Sequence, residues 1–306
     1  MSRADQPPVD VIVLAYNHLA DTLDCLASFS RLTYPNFRLI LVDNGSTDGT
    51  AEAVTAQYPQ VRVWRLERNI GFQGGANFGL RRSMADGVDY ALLVSNDTTA
   101  QPDLLDELMK HAGDDNVGLL MPKIYYAAEP DRIWSVGGDL HPLTYEMTRK
   151  GDNQLDRGQW EQVLDRDFLV GCVLLFKRRL LETIGYFDTG FYPAYYEDVD
   201  LCLRARQAGF KLRLAPGAKL WHKVARSHGG QGAPQERYLM ARNSVRYFRK
   251  HVRGWRWLIV GPYRLGSALK TTLRLARARR GDSICAYWRG LRDGWRLPTA
   301  TRDDAP

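Results

Sequence analysis

The chain has 306 residues, 44% hydrophobic and 25% charged, which is ordinary globular usage and excludes disordered, collagen-like and disulfide-scaffold proteins. Its four cysteines (Cys25, Cys172, Cys202, Cys285) form no C-x-x-C pair, so zinc ribbons and dithiol motifs are excluded and reduced thiols are expected. The net charge of +7 is unevenly placed: residues 237–296 hold 16 Lys and Arg against two acids, Asp282 and Asp293, whereas the remainder holds 26 basic and 33 acidic residues.

The first ten residues contain no apolar h-region, so no secretory signal is expected. No apolar run approaches the roughly 18 residues of a spanning helix, and a cytoplasmic protein, soluble or peripheral on the membrane face, is expected. Val9–Ala15 is an apolar, β-branched run of strand length. Residues 18–32 then place Leu19, Leu23, Leu26 and Phe29 at helical spacing. A second strand at 37–42 ends in the turn-rich D-N-G-S-T-D-G, where Ser46, Thr47 and Asp48 read as a helix cap. A helix over Thr50–Gln57, a strand over 61–66, a Gly-rich helix entry over 71–84 and a fourth strand over 90–94 follow. Such alternation predicts right-handed crossovers and a mostly parallel sheet, with ligands bound beyond the carboxyl ends of its strands. Tyr16-Asn17, Asp43-Asn44 and Ser95-Asn96-Asp97 occupy those ends.

The first strand–helix turn, A-Y-N-H-L, lacks G-x-G-x-x-G, and no P-loop occurs, so nicotinamide and P-loop enzymes are excluded. The second half reads as strands at 117–126, 132–136 and 168–176, a polar loop or flap at 139–166, a helix at 195–209, and strands at 211–215 and 218–222 broken by Pro216-Gly217. Asp200 and Arg204 stand at i, i+4, as in a surface salt-bridged helix. Residues 255–280 interleave Trp, Leu and Tyr with Arg and Lys. A basic, aromatic-bearing amphipathic helix of this kind reads as an anionic membrane-surface element or as a solvated face packed on the main domain. No nucleic-acid-binding motif accompanies the charge.

Seven motifs occur in order: V-I-V-L-A-Y-N, L-I-L-V-D-N-G-S-T-D-G-T, N-I-G-F-Q-G-G-A-N-F-G, L-L-V-S-N-D-T, G-Y-F-D, Y-Y-E-D-V-D-L-C-L-R and L-W-H. Together they closely resemble the family 2 inverting glycosyltransferases, especially the rhamnosyltransferase-like branch, over about residues 9–250. The resemblance implies a GT-A fold: a Rossmann-like α/β domain with a mostly parallel central sheet flanked by helices. Its nucleotide-sugar half is expected at about 9–115 and its acceptor half at about 116–250, with a basic helical extension over 251–306.

The resemblance also implies residue roles. A divalent metal, Mg²⁺ or Mn²⁺, would be held by Asp97, the last position of the family's D-x-D, and by His222, with His228 as a competitor. Ser95 departs from the pattern by standing where the first Asp would be. Glu197-Asp198 matches the family's E-D pair, which makes Asp198 the general base and Glu197 an orienting group. Asp43, Asn44, Tyr16 and Asn17 match the nucleotide pocket, with Asn96 beside the metal position. Gly71, Gly74, Gly75 and Asn77 match a donor-side loop approached by the diphosphate, and Cys172 is read as packing. The expected donor is dTDP-rhamnose or a UDP-sugar, and the expected acceptor a glycan or lipid-linked saccharide. Two alternatives stand: a degenerate member serving as a membrane-associated binding or assembly protein, which Ser95 favours, and a nucleotidyltransferase, for which A-Y-N-H-L lacks the Gly-rich basic signature.

Overall fold

The computed structural model describes residues 6–224 and 232–301. From the N-terminus, β1 (Val9–Ala15), α1 (Leu19–Phe29), β2 (Phe37–Asp43), α2 (Thr50–Gln57), β3 (Arg62–Arg65), α3 (Gly71–Ala85) and β4 (Tyr90–Ser95) alternate as the sequence pattern requires. β1 lies between β2 and β4, parallel to both, and β3 continues the parallel set beyond β2. All seven residues of β1 are buried and all but Asp10, which pairs with Arg38, are apolar, as befits a central parallel strand covered on both faces.

Beyond β4 come β5 (Thr98–Ala100), α4 (Leu104–Met109), β6 (Val117–Tyr126) and β7 (Glu129–Ser135). Residues 139–166, expected as a loop, carry four short strands: β8 (Gly138–Leu140), β9 (Met147–Arg149), β10 (Gln154–Leu155) and β11 (Leu164–Arg166). β8 and β9 form a separate antiparallel ribbon, while β10 and β11 attach to the main sheet. These strands are short and carry no apolar alternation, so periodicity could not reveal them.

β12 (Val173–Lys177) runs antiparallel to β4 and so brings its amino end to the rim where the parallel strands finish. The strand expected from residue 168 begins only at Val173. Phe168 exchanges hydrogen bonds with Gly138, Leu169 meets the Cys202 thiol, and the Gly171 N–H donates to Asp198, so these backbone groups are taken before they reach the sheet. After α5 (Arg178–Ile184), α6 (Glu197–Gln207) opens two residues later than expected, because Tyr195 and Tyr196 adopt φ of +78° and +73°. The two strands expected at 211–222 are one, β13 (Lys211–His222), with Pro216 and Gly217 absorbed in a register shift against β6, where a sheet tolerates proline.

The C-terminal segment forms α7 (Pro234–His251), α8 (Trp257–Arg277) and α9 (Gly281–Gly294). α9 packs on α7 so closely that a Cβ on Gly290 or Gly294 would strike the carbonyl of Tyr238 or Arg242. Among the described residues, no helix is long and apolar enough to cross a membrane.

Candidate active site

The parallel strands deliver their last residues to a single rim, and most of the expected site residues stand there. At the end of β2, Asp43 is buried; its Oδ1 accepts from the Ser46 N–H at 2.9 Å. Its Oδ2 is buried with no hydrogen-bond partner, 3.6 Å from Arg65 Nε. A buried carboxylate oxygen is rarely left unsatisfied, and a ring N–H of a bound nucleobase would complete it. Tyr16 is exposed at the end of β1.

The neighbouring amides shape the rim instead of lining it freely. Asn17 accepts from the Thr47 N–H at 2.9 Å, and its own N–H donates to Ser46 Oγ. Asn96 Nδ2 donates to the Asn17 carbonyl and to Thr22 Oγ1. Asn44 donates to the Gly71 carbonyl at 2.9 Å and accepts from the Ile70 N–H. Asp48, read as part of a cap, accepts from the Leu19 and Thr50 N–H groups and so ties the entries of α1 and α2 together.

The expected donor-side loop is corrected: Gly71, Gly74, Gly75 and Asn77 lie in α3. The Gly71 N–H donates to Asn69 and the Phe72 N–H to the Pro193 carbonyl, so these first donors of the helix are already occupied. A Cβ on Gly75 would come within 2.7 Å of Leu14, and one on Gly71 would strike Tyr192. Asn77 is fully buried and exchanges two hydrogen bonds with Phe187 of the G-Y-F-D motif. These residues allow close packing and lock the two halves together.

Asp97 follows β4, and His222 ends β13. His222 Nε2 lies 3.1 Å from Asp97 Oδ2, the Lys223 N–H donates to the Asp97 carbonyl, and Trp134 packs edge-on to the imidazole at 4.7 Å. Burial opposes ionisation of Asp97, but the His222 hydrogen bond and charge outweigh it and lower its pKa. Among the described residues no cluster of three or more His, Cys, Asp or Glu could hold a metal. Two converging ligands suit a hard divalent cation that takes its remaining oxygens from water and substrate phosphates. His228 lies outside the described residues.

Glu197 and Asp198 form the first turn of α6. Asp198 Oδ2 accepts from the Gly171 N–H at 3.1 Å and Oδ1 from the Val199 N–H at 2.8 Å. Burial raises its pKa while these backbone donors work against the rise. Glu197 accepts from Gln73 Nε2 at 3.0 Å, and burial followed by the Asp198 charge pushes its pKa up to about 8. Two adjacent buried carboxyls favour sharing one proton, and the rise at Glu197 makes that residue its preferred holder. Cys172 lies between this turn and Asp97: burial and then the Asp97 and Asp198 charges all raise its thiol pKa. No nucleophile is suggested there.

Three site residues escaped the sequence reading. Gln73, in the quoted G-F-Q-G-G motif, joins Glu197 to the Phe191 carbonyl. Arg149, on the β8–β9 ribbon, lies 5.3 Å from the Trp134 ring and lowers the Asp198 pKa, which places a cation beside both halves of the site; no sequence signal marks it. Asn243, on α7, donates to the carbonyls of Phe191, Ala194 and Tyr195 and clamps the segment leading to Glu197. The Asp200–Arg204 pair forms at 2.8 Å but is buried, not at the surface, and shares Lys250 and His251.

The raised Glu197 pKa predicts a pH effect. Its folded value lies above the free value of 4.5, so its contribution to stability is complete below about pH 4.5 and is lost as pH rises through about 8. Glu197→Gln, which mimics the protonated acid, is expected to gain Tm relative to the parent between pH 5 and pH 9. A difference that stays flat across that range counts against a shared proton.

A parallel amino-terminal sheet, an acidic rim and a carboxylate pair at a helix start match a transferase of the GT-A type. The chain belongs to glycosyl transferase family 2, whose family model matches residues 10–185. The N-acetylglucosaminyl-diphospho-decaprenol L-rhamnosyltransferase of Mycobacterium tuberculosis (strain CDC 1551 / Oshkosh) is 28% identical over 83% of this chain and 90% of its own length. The poly-beta-1,6-N-acetyl-D-glucosamine synthase of Staphylococcus epidermidis is 22% identical over 78% of this chain and 55% of its own. The mannosyltransferase PcManGT from Pyrobaculum calidifontis, solved with GDP-Man and Mn2+, shares the fold with a TM-score of 0.56 at 18% identity, covering 96% of this chain and 74% of that one. GalNAc-T7, solved with UDP, GalNAc and Mn2+, gives a TM-score of 0.62 at 16% identity over 80% of this chain, which spans about half of its length (48%).

Proposed function

We propose that the chain transfers rhamnose from dTDP-rhamnose, with a UDP-sugar as the second candidate donor, to a hydroxyl of a glycan or lipid-linked acceptor, inverting the anomeric carbon. The observation that carries this reading is the meeting, on one rim, of Asp97 and His222 with the Asp198 carboxylate and the unsatisfied Asp43 oxygen. The rhamnosyltransferase relative supplies the donor and acceptor class. On this reading the chain works at the cytoplasmic face of a membrane.

Asp43 would anchor the nucleobase and Tyr16 would edge the same pocket. Asp97 and His222 would hold a divalent cation, Mg²⁺ or Mn²⁺, which when bound neutralises charge on the diphosphate as it leaves. Arg149 adds a positive group on the flap side. Asp198 takes the proton of the acceptor hydroxyl as that oxygen bonds to the anomeric carbon from the face opposite the diphosphate. Glu197, protonated and held by Gln73, keeps a second charge away from the base.

The test incubates the protein with each nucleotide sugar and a prenyl-diphosphate-linked acceptor, with and without EDTA, and identifies products by mass spectrometry. Transfer from dTDP-rhamnose is the expected result. Asp97→Ala is expected to weaken metal-dependent donor binding about tenfold or more, the scale of a lost charge-assisted contact. Donor affinity that ignores both EDTA and this substitution removes the metal assignment. Nucleotide binding without transfer from any donor restores the binding or assembly reading.

A further inference from the structure

We infer that the outer face of α8 is a docking surface for an anionic lipid membrane. α8 has two apolar faces. The inner one buries Val260, Ala268 and Leu275, and Ala268 packs with Ala241 of α7 and Tyr287 of α9. The outer one presents Leu258, Leu265, Leu269 and Leu273, which remain 79%, 60%, 52% and 58% exposed. Their spacings of seven, four and four residues set them in one line along the helix. A helix packed on a globular domain ordinarily keeps that side polar, and a contiguous exposed apolar stripe marks an interaction surface. Trp255, exposed just before the helix, adds an aromatic group of the kind that seats at a lipid interface.

Charge decides the occupant. α8 contains Arg264, Lys270, Arg274 and Arg277 and no acidic residue. Lys270, Arg274 and Arg277 are exposed and make no ion pair among the described residues. A leucine stripe rimmed by unopposed cations matches acyl chains beneath anionic headgroups. A second copy of this chain would set like charges against each other across the same face.

The surface also adjoins the site. Arg256 donates to the Tyr145 hydroxyl, and Arg264 lies 3.9 Å from Glu146 while donating to Ser244 on α7 at 2.7 Å. Tyr145 and Glu146 lead into β9, which carries Arg149 beside Trp134. A bilayer held against the outer face of α8 would therefore be linked through these contacts to the flap side of the site, to which a lipid-linked acceptor would come. That last step rests on the transfer reading; the docking itself does not.

The experiment is co-sedimentation of the full chain with vesicles of phosphatidylcholine plus phosphatidylglycerol, and with phosphatidylcholine alone, in the absence of any sugar nucleotide. The parent is expected to pellet with the anionic vesicles. Leu265→Ser with Leu269→Ser and Leu273→Ser is expected to weaken partitioning by at least about tenfold, since immersing even one leucine is worth that much. These side chains are exposed, so a circular-dichroism melt is expected to match the parent. Lys270→Glu with Arg274→Glu and Arg277→Glu leaves the stripe intact; its binding is expected to fall about fivefold per removed cation on anionic vesicles. Equal pelleting of the parent and both variants overturns the inference. So does light scattering that finds a parent dimer reverting to monomer in the serine variant with vesicle binding unchanged, which would assign the face to a second copy. Failure of sugar transfer alone would leave the vesicle result standing.

Discussion

Asp198→Asn is expected to lower transfer by about 10²–10⁴-fold, the range typical of a lost general base, with donor affinity essentially that of the parent. The substitution is nearly isosteric. Its side-chain oxygen can still accept one of the two backbone hydrogen bonds, from Gly171 or Val199, that orient the parent carboxylate. What it removes is the proton-accepting charge. Burial raises the Asp198 pKa above the ordinary aspartate range, which makes it a better base than an exposed aspartate. The acid limb of the rate profile is accordingly expected above the ordinary aspartate range. On the proposed reading the donor would lie on the Asp43 and Asp97 side, so its affinity is the control that separates lost chemistry from lost structure. Activity within about tenfold of the parent would remove the base assignment. Glu197→Gln supplies the contrast: the variant keeps the Asp198 carboxylate, so it is expected to retain far more activity than Asp198→Asn.

The amino-terminal half was legible because its physics is local. β1, β2 and β4 are largely buried and so read as mainly apolar runs, and each is followed by polar residues that only a shared rim explains. Asp97 and His222 lie 125 residues apart, yet the motif order predicted their meeting and the structure brings them to 3.1 Å. The glycines of residues 71–75 misled for an instructive reason. Gly-rich sequence signals close backbone approach without saying to what, and the approach the structure describes is that of α3 to Leu14, Ile70 and Tyr192. Asn77 misled likewise, since a buried amide satisfied by a distant backbone segment looks in sequence like any other polar residue. The flap was illegible because its strands are two or three residues long and half-exposed, and Arg149 gave no signal because its meaning depends on Trp134 and Asp198. α8 was half legible: its basic and apolar mixture was visible, but only the packing shows that Val260 turns inward while Leu265, Leu269 and Leu273 face out.

Arg246→Met is expected to destabilise the protein by about 3–5 kcal/mol, because removing one member of a buried ion pair leaves its partner charged and under-compensated. Arg246 is fully buried on α7; it donates to both oxygens of Asp188 at 2.8 and 3.1 Å, donates to the Ala300 carbonyl, and stacks on Phe191. Lys250 also reaches Asp188, at 2.6 Å, and bridges to Asp200, which His251 and Arg204 contact as well. Although burial opposes ionisation of Asp200, the His251 hydrogen bond and these cations hold its carboxyl well below the usual range. The network joins α7 to both ends of the 188–200 segment, while Asn243 holds its middle and Gln73 its Glu197 end. The substitution therefore strikes the scaffold of the proposed base, not Asp198 itself. At about 2–4 °C per kcal/mol for a chain of this size, Tm is expected to fall by roughly 6–20 °C, measured alongside urea unfolding. Methionine fills similar volume, so the loss reports charge more than cavity. Arg246→Lys, which keeps the charge but not the paired donors, is expected to fall between the two. A loss below about 1 kcal/mol for Arg246→Met would mean that Lys250 alone neutralises Asp188, and that the hydrogen bonds of Asn243 hold the catalytic turn without the ion pairs beneath it.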